Sequence, residues 1–179
     1  MVRIATALMA LLLAGCGPND RSEPFAGALT TTTAPDGAAV VVRVIDGDTI
    51  LVVVDEREER VRLIGIDTPE TKDPRRPVQC FGAEAAARTA ALLPAGTRVR
   101  LVRDVELRDR YDRLLAYVHR ADDDLFVNLT LAREGYAAAS TYPPNVTHTE
   151  AIVAAAARAR EEHRGLWGAC DGDDQPVNG

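Results

Sequence analysis

The sequence predicts an α+β fold in which a small five-stranded β-barrel carries three packed helices. Five short runs rich in β-branched residues alternate with segments of helical composition, in the order three strands, helix, two strands, helix, helix. A closed barrel with helices on its outside accommodates this order and is compatible with an OB-fold. The chain has 179 residues, of which 46% are apolar, which is enough for one domain with a real core.

Strands are expected where apolar, β-branched runs are bounded by turn residues. The second and third runs are joined by the charged segment 55–59, which suits a hairpin turn. The five predicted strands cover residues 40–45, 49–54, 60–66, 98–102 and 114–118.

Three segments have the composition and the boundary residues of helices. The first is Ala-rich and covers 84–93, and the second covers 127–134 and is closed by Gly135. The sequence T-H-T-E over 147–150 has the pattern of a capping box, which predicts the start of a long Ala- and Arg-rich helix that ends near Gly165.

The N-terminal residues have the pattern of a targeting signal. Arg3 precedes an apolar run over 4–14 that is too short to span a bilayer, since a span needs about 20 residues. The run ends in L-A-G-C, which resembles the bacterial lipobox, so Cys16 is expected to carry lipid; an ordinary cleaved signal peptide is the alternative. The predicted organisation is a lipoprotein signal peptide over 1–15, a lipid-anchored flexible tether over 16–38, a folded domain over 39–170 and a disordered tail over 171–179.

Two further cysteines, Cys80 and Cys170, fall in the predicted domain. A lipid anchor implies the extracytoplasmic face of the cell membrane, or secretion, and an even number of cysteines in an oxidising compartment favours a disulfide. Two separate thiols are the alternative, and a cysteine pair by itself does not make a zinc site. We therefore expect Cys80 and Cys170 to be joined.

The net charge bears on the class of binding partner. The chain carries a formal charge of −6, whereas proteins that grip nucleic acid tightly are usually basic. A protein of this charge that acts on nucleic acid should therefore bind through a local site and release quickly.

Acidic and basic side chains cluster at the ends of the predicted strands. The sequence D-G-D-T over 46–49 lies between the first two strands, where Asp-Gly is ordinary turn chemistry. Arg62 lies within an apolar strand, and a buried guanidinium needs an anionic partner. Asp67 and Glu70 follow at the exit of that strand. The segment predicts either a structural ion pair or a site that holds an anion beside two acids.

Two loops add further candidates. The run D-R-Y-D-R over 109–113 is typical of a solvated loop, although Arg113 directly precedes an apolar strand. Tyr142 opens the loop Y-P-P-N-V-T-H before the last helix. A tyrosine in this position can stack on a base or close the edge of the core.

These four segments resemble the motifs of the staphylococcal nuclease family. That family carries D-G-D-T, R-L-x-x-x-D-T-P-E, D-[KR]-Y-x-R and Y-x-P-N-x-T-H, and all four occur here in order. The resemblance covers about residues 40–168. It implies a monomeric, calcium-dependent nuclease that takes DNA and RNA as substrates.

The resemblance implies a role for each residue that matches. Asp48 and Asp67 match carboxylate ligands of Ca²⁺, and the backbone carbonyl of Thr68 matches a further ligand. Asp46 is expected to assist through water or by a hydrogen bond. Glu70 matches the general base that activates or orders the attacking water.

The remaining matches concern the substrate. Arg62 and Arg113 match the pair that clamps the scissile phosphate, and guanidinium groups suit the charge that develops on phosphate oxygens. Arg110 and Tyr111 match positions that touch a terminal phosphate of the nucleotide. Tyr142 matches a tyrosine of the base pocket.

Two positions depart from the family pattern. Asp112 replaces a glycine, and its carboxylate is expected either to draw Arg113 away from phosphate or to weaken substrate binding. Ser140 replaces a second tyrosine of the base pocket, which concerns base preference and affinity more than the chemistry.

Two other functions remain open at this point. One is a catalytically weak OB-fold lipoprotein that only binds nucleic acid, and the other is a structural lipoprotein of the cell envelope without a ligand. Domains that only bind typically lose the base or the arginines, whereas this chain keeps Glu70, Arg62 and Arg113.

Overall fold

Seven strands and four helices make up the part of the chain that the computed structural model describes, residues 37–72 and 78–170. The strands are β1 (Ala38–Asp46), β2 (Thr49–Val54), β3 (Arg57–Leu63), β4 (Ile66–Asp67), β5 (Arg98–Val102), β6 (Leu114–Arg120) and β7 (Ala138–Ala139). Five of them close a barrel in the order β1-β2-β3-β6-β5, with β3 and β6 parallel and the other neighbours antiparallel. The predicted α+β fold with a five-stranded barrel is confirmed.

The hairpin between β2 and β3 is tighter than the charged turn predicted over 55–59. Asp55 and Glu56 form it, and both have positive φ angles, 49° and 64°. Positive φ at both central residues is what a type I′ hairpin turn requires. Residues from Arg57 onward already pair with β2.

The strand predicted over 60–66 is wrong at its end, because the chain turns at Gly65. The φ angle of Gly65 is 82°, and a Cβ on this residue would lie 2.6 Å from the Cδ1 atom of Ile152. β3 therefore ends at Leu63, and β4 pairs with β7 in a separate two-stranded sheet. This break removes Asp67 from the barrel sheet.

The helices are α1 (Gly82–Leu92), α2 (Val127–Glu134), α3 (Thr149–Glu161) and α4 (Leu166–Ala169). The first three confirm the predicted helices, and α4 is an additional short one. The predicted capping box over 147–150 is wrong, because the hydroxyl and the backbone N–H of Thr147 both donate to Asp104, at 3.0 Å each. His148 takes the N-cap position without a side-chain hydrogen bond to the helix.

Asn128 is a fully buried polar residue that ties α2 to the barrel. Its Oδ1 accepts a hydrogen bond from the backbone N–H of Val118 at 2.9 Å, and its Nδ2 donates to the carbonyl of Ile64 at 2.8 Å. Around it lies the apolar core. The largest fully buried side chains are those of Tyr117, Ile50, Leu63, Ile66, Leu93, Leu131, Ile152 and Leu166.

The predicted disulfide between Cys80 and Cys170 is confirmed. The two Sγ atoms are 2.09 Å apart, and the bond links the turn before α1 to the end of α4 across a separation of 90 residues. The predicted signal peptide, most of the tether, Cys16 and the predicted tail lie outside the described residues. Within those residues, no helix combines the length and the apolarity that crossing a bilayer requires.

Asn128→Leu should destabilise the domain. The substitution keeps the volume but leaves the N–H of Val118 and the carbonyl of Ile64 buried without a partner, at a cost of about 2–4 kcal/mol in the free energy of unfolding. Urea unfolding would measure the change. Arg98→Met is the control, because the ion pair of Arg98 with Asp122 is largely exposed and should matter little. Equal midpoints for both variants would contradict this assignment.

Candidate active site

The hairpin between β1 and β2 places two acids at one end of the barrel. Asp46 pairs with Thr49 across this hairpin, so that Gly47 and Asp48 form the turn. Asp48 is buried, with Oδ1 accepting from the Thr49 hydroxyl at 3.0 Å and Oδ2 accepting from the Thr68 N–H at 3.1 Å. A Cβ on Gly47 would lie 2.6 Å from the Thr68 hydroxyl, so glycine is needed where Thr68 packs on the turn.

Arg62 links two of the predicted site acids. Its Nη1 lies 3.1 Å from an Asp48 carboxylate oxygen, and its Nη2 lies 2.9 Å from one of Asp67. Nη1 also donates to the backbone carbonyls of Leu63 at 2.8 Å and Ile66 at 2.9 Å. The partly buried guanidinium thus has the anionic partners that the sequence requires. It also fixes the chain between the end of β3 and β4.

Asp46 and Glu70 form a second acidic pair. The buried Asp46 carboxylate accepts from the Gly47 N–H at 2.9 Å and from the Thr71 hydroxyl at 2.8 Å. Burial and a hydrogen bond with Glu70 raise the pKa of Asp46 to about 6. The Glu70 carboxylate also accepts from the backbone N–H of Lys72 at 2.5 Å. A hydrogen bond between two carboxyl groups requires one proton, so this pair can take up a proton close to neutral pH.

Asp67 is also affected by its acidic surroundings. Burial raises its pKa to about 6, the positive charge of Arg62 opposes that rise, and other carboxylates add to it. Those carboxylates are Asp48, Glu70 and Asp46. Four acids therefore share one region with the Arg62 guanidinium, and their mutual repulsion is part of the cost of folding.

The donor atoms in this region suit a hard cation. Asp48 and Asp67 both contact Arg62, and Thr68 adds backbone and hydroxyl oxygens beside them, which is the all-oxygen donor set that Ca²⁺ prefers. The Thr68 hydroxyl is buried without a hydrogen-bond partner among the described residues. Within those same residues, no three His, Cys, Asp or Glu side chains form a group arranged for a metal. A cation here would therefore depend on two carboxylates and complete its shell with carbonyl oxygen and water.

Arg113 is held by Asp109, not by Asp112. Its Nε donates to one Asp109 oxygen at 2.7 Å and its backbone N–H to the other at 3.0 Å, while Nη1 lies 3.5 Å from the Thr49 hydroxyl. The expectation that Asp112 draws Arg113 away is wrong, because the Asp112 carboxylate is largely exposed and contacts Arg108 at 3.5 Å. The φ angle of 62° at Asp112 is one that glycine adopts readily.

Arg62 and Arg113 line the same pocket, which has a volume of about 460 Å³. Its other lining residues are Ile64, Gly65, Ile66, Glu106, Asp109, Arg110, Leu115, Ser140, Tyr142 and Asn145. The wall of the pocket combines arginines with apolar side chains. It can accept an anion and an attached planar group.

The predicted substrate residues lie at or near this pocket. Arg110 donates to the Tyr111 hydroxyl at 2.8 Å and lies over its ring, with 4.8 Å between the guanidinium carbon and the ring centroid. Tyr111 and Tyr142 are 56% and 57% exposed, so Tyr142 does not close the edge of the core. Ser140 is buried in the pocket wall, where its small side chain leaves space.

Three residues in contact with the predicted set were missed from the sequence. Asp109 orients Arg113, and the spacing of four residues between opposite charges was a usable signal. Thr71 binds Asp46, and Gln79 binds the backbone of Glu70. No sequence pattern indicates the last two contacts, because they join segments that only the fold brings together.

The chain is similar to known proteins over most of its length. The family model for "Staphylococcal nuclease homologue" matches residues 60–169. The thermonuclease of Staphylococcus intermedius is 46% identical over 128 residues, which cover 72% of this chain and 74% of that protein. The thermonuclease of Staphylococcus hyicus is 41% identical over 146 residues, covering 82% and 84%.

A more distant relative is the endonuclease YncB of Bacillus subtilis, which is 38% identical over 127 residues, covering 70% of this chain and 59% of its own length. The family match spans more than half of this chain, and its residues include Arg62, Asp67, Glu70 and Arg113. The barrel, the shared pocket and these similarities lead to one conclusion: the chain belongs to the staphylococcal nuclease family.

Proposed function

We propose that this nuclease is calcium-dependent, hydrolyses the phosphodiester bonds of both DNA and RNA, and works at the outer face of the cell membrane. Its class as a phosphodiester hydrolase follows from the family and from relatives named thermonuclease and endonuclease. The observation that carries the proposal is that Arg62 and Arg113 line one pocket while Arg62 also contacts Asp48 and Asp67.

The two arginines bind the scissile phosphate. Attack on phosphorus builds negative charge on the phosphate oxygens, and each guanidinium presents several N–H donors in a fixed fork. Arg113 is already oriented by Asp109, and Arg62 by two backbone carbonyls, so little ordering is needed when phosphate binds. Ca²⁺ held by Asp48, Asp67 and Thr68 would supply further neutralisation of the charge on the phosphate.

Glu70 accepts a proton from the attacking water. Its carboxylate lies in the same acidic region as Asp67, and its hydrogen bond with Asp46 gives the pair a capacity for one proton. Water loses a proton as it attacks phosphorus, and a carboxylate within hydrogen-bond reach is a suitable acceptor. Lys72 holds one Glu70 oxygen in place through its backbone N–H.

The pocket accounts for binding of the nucleotide. Arg110 and Tyr111 offer donors for a terminal phosphate, and the exposed ring of Tyr142 offers a surface on which a base can stack. Stacking and phosphate contacts do not distinguish deoxyribose from ribose, which supports DNA and RNA alike as substrates. The protein carries a net charge of −6, so binding depends on this local cluster of arginines and products can leave readily.

The cysteines support this location in two ways. The lipobox-like sequence ending at Cys16 lies outside the described residues, and it would anchor the domain through a tether. The disulfide between Cys80 and Cys170 is the kind of bond that persists in oxidising, extracytoplasmic surroundings. We propose a monomer held at the membrane surface by lipid.

Glu70→Gln should lower kcat by about 10²- to 10⁴-fold, because the amide cannot take the proton from water. The KM should change little, because the side chain keeps its size. Cleavage of single-stranded DNA by the purified domain with calcium would measure both parameters. Glu58→Gln is the matched control, since Glu58 is an exposed residue of β3. Equal, near-zero turnover for wild type and Glu70→Gln, with tight binding that survives a chelator, would instead support a domain that only binds nucleic acid.

Calcium should stabilise the domain more at about pH 7.5 than at about pH 5. The pKa of Asp67 is raised to about 6 by burial, so its contribution to stability in the metal-free protein is present at low pH and is lost as the pH rises through about 6. Calcium binds the ionised form and should therefore shift the melting temperature mainly above that pH. Scanning calorimetry with and without calcium would show this.

In Asp67→Asn, calcium should raise the melting temperature only slightly at every pH, since the amide does not titrate and carries no negative charge to bind the cation. A calcium shift in the wild type that stays constant across this pH range would exclude Asp67 as a titrating ligand.

Cys16→Ser should move the full-length protein from the membrane fraction to the soluble fraction. Lipid is attached through the Cys16 thiol, and a hydroxyl cannot replace it. Fractionation and labelling with radioactive palmitate, in a bacterium that processes lipoproteins, would measure the effect. Cys80→Ser is the control and should stay in the membrane fraction. Palmitate labelling of the Cys16→Ser protein would count against the proposed anchor.

A further inference from the structure

The backbone of Glu70 is bound on both sides by one residue, Gln79. The Glu70 N–H donates to the Gln79 side-chain oxygen at 2.7 Å, and the Glu70 carbonyl accepts from the Gln79 backbone N–H at 3.0 Å. Both peptide groups next to the Glu70 Cα are therefore fixed by the same partner. Rotation of this backbone would break at least one of the two bonds.

Gln79 itself belongs to a tight turn at the start of α1. Its carbonyl accepts from the N–H of Gly82, the first residue of that helix, at 3.1 Å. A Cβ on Gly82 would lie 3.1 Å from the Pro69 carbonyl oxygen and 3.4 Å from that of Glu70. Glycine at this position thus allows the helix start to lie directly against the segment that carries Glu70.

The next residue along this turn is covalently anchored. Cys80 is bonded to Cys170, which closes α4 by donating its N–H to Leu166 at 3.1 Å. Leu166 is fully buried, and its N–H donates to the carbonyl of Gly135 at 2.9 Å. The disulfide therefore ties the turn that holds Glu70 to the end of α2 through α4.

Glu70 has little other regular structure to orient it. It follows the two-residue strand β4, and the chain between it and α1 contains no strand or helix in its described residues, 70–72 and 78–81. Side chains that must be placed accurately are usually mounted on helices or strands. The turn at 79–82 therefore restrains the backbone of Glu70, as a strand or helix would if Glu70 were part of one.

We propose that Gln79 is a positioning residue for Glu70, and that the disulfide between Cys80 and Cys170 keeps Gln79 in place. This inference rests on the proposed role of Glu70 as the proton acceptor. Gln79 acts on the reaction through Glu70, because its contacts to this residue are with the backbone. A displacement of about 1 Å at a reacting group can lower the rate by as much as about 10²-fold.

Gln79→Met tests the side-chain bond, because methionine has a similar length but does not offer the amide oxygen. It should lower kcat by about 10- to 100-fold and leave the affinity for calcium and the KM within about twofold of wild type. Arg88→Met is the matched control. Arg88 is on α1, the helix that follows Gln79, and the variant loses two hydrogen bonds to Glu134, so it should lower the melting temperature without changing kcat.

Removal of the disulfide tests the anchor. Reduction of the folded wild type, or the variant Cys80→Ser/Cys170→Ser, should lower kcat in the same way at a temperature where the domain remains folded by circular dichroism. When Gln79→Met is combined with removal of the disulfide, the fold loss of kcat should be smaller than the product of the two separate losses. The reason is that both changes act on Glu70 through one turn. If Gln79→Met does not fold, Gln79→Ala, which also lacks the side-chain oxygen, provides the test of the bond to Glu70.

The outcomes distinguish the positioning role of Gln79 from the proposed role of Glu70 as the proton acceptor. The positioning role would be overturned if Gln79→Met kept the wild-type kcat, or if Arg88→Met lost kcat to the same extent. It would also be overturned if Gln79→Met changed only the KM or the affinity for calcium. Full activity after reduction would overturn the part assigned to the disulfide. Turnover by the wild type that Glu70→Gln does not reduce would remove the proposed function of Glu70, and the inference with it.

Discussion

The guanidinium of Arg62 lies between the carboxylates of Asp48 and Asp67, and the arrangement of the site depends on it. A charge on a barrel strand is stable only with partners, and Arg62 finds four, two carboxylates and the carbonyls of Leu63 and Ile66. The same contacts shape the chain after β3, which carries the predicted metal ligands and the predicted base. Because a partly buried ion pair adds little net stability compared with apolar packing, stability alone does not account for these charges.

Crowding of acids around this arginine links stability to function. Burial raises the pKa of Asp46 and of Asp67 to about 6, so ionisation of each costs more in the metal-free folded domain than in the unfolded chain. A bound cation would remove that penalty and would connect cation binding, pH and stability through the same few oxygens. The rest of the domain compensates with a well-filled core, the buried Asn128 and a disulfide that closes a long stretch of chain.

Local sequence was sufficient for most of the elements but failed where distant residues intervene. The strand predicted over 60–66 is cut at Gly65, because Ile152 from α3 occupies the space that a Cβ would need. Thr147 has the pattern of a helix cap, yet its hydroxyl donates to Asp104, which lies 43 positions earlier in the chain. Asp112 adjoins Arg113 in sequence, but the left-handed backbone at Asp112 directs the carboxylate to Arg108.

The sequence by itself determined the order of the five barrel strands and of the three longer helices, the four family motifs and the cysteine count, because these are set by periodicity, turn chemistry and residue type. Only the tertiary structure decided which acid holds Arg113 and which residues bind the backbone of Glu70. Gln79 reaches Glu70 across nine positions of chain, and the disulfide behind it spans 90. Contacts of this kind depend on closure of the barrel and packing of α1, α2 and α4, which no local pattern of residues encodes.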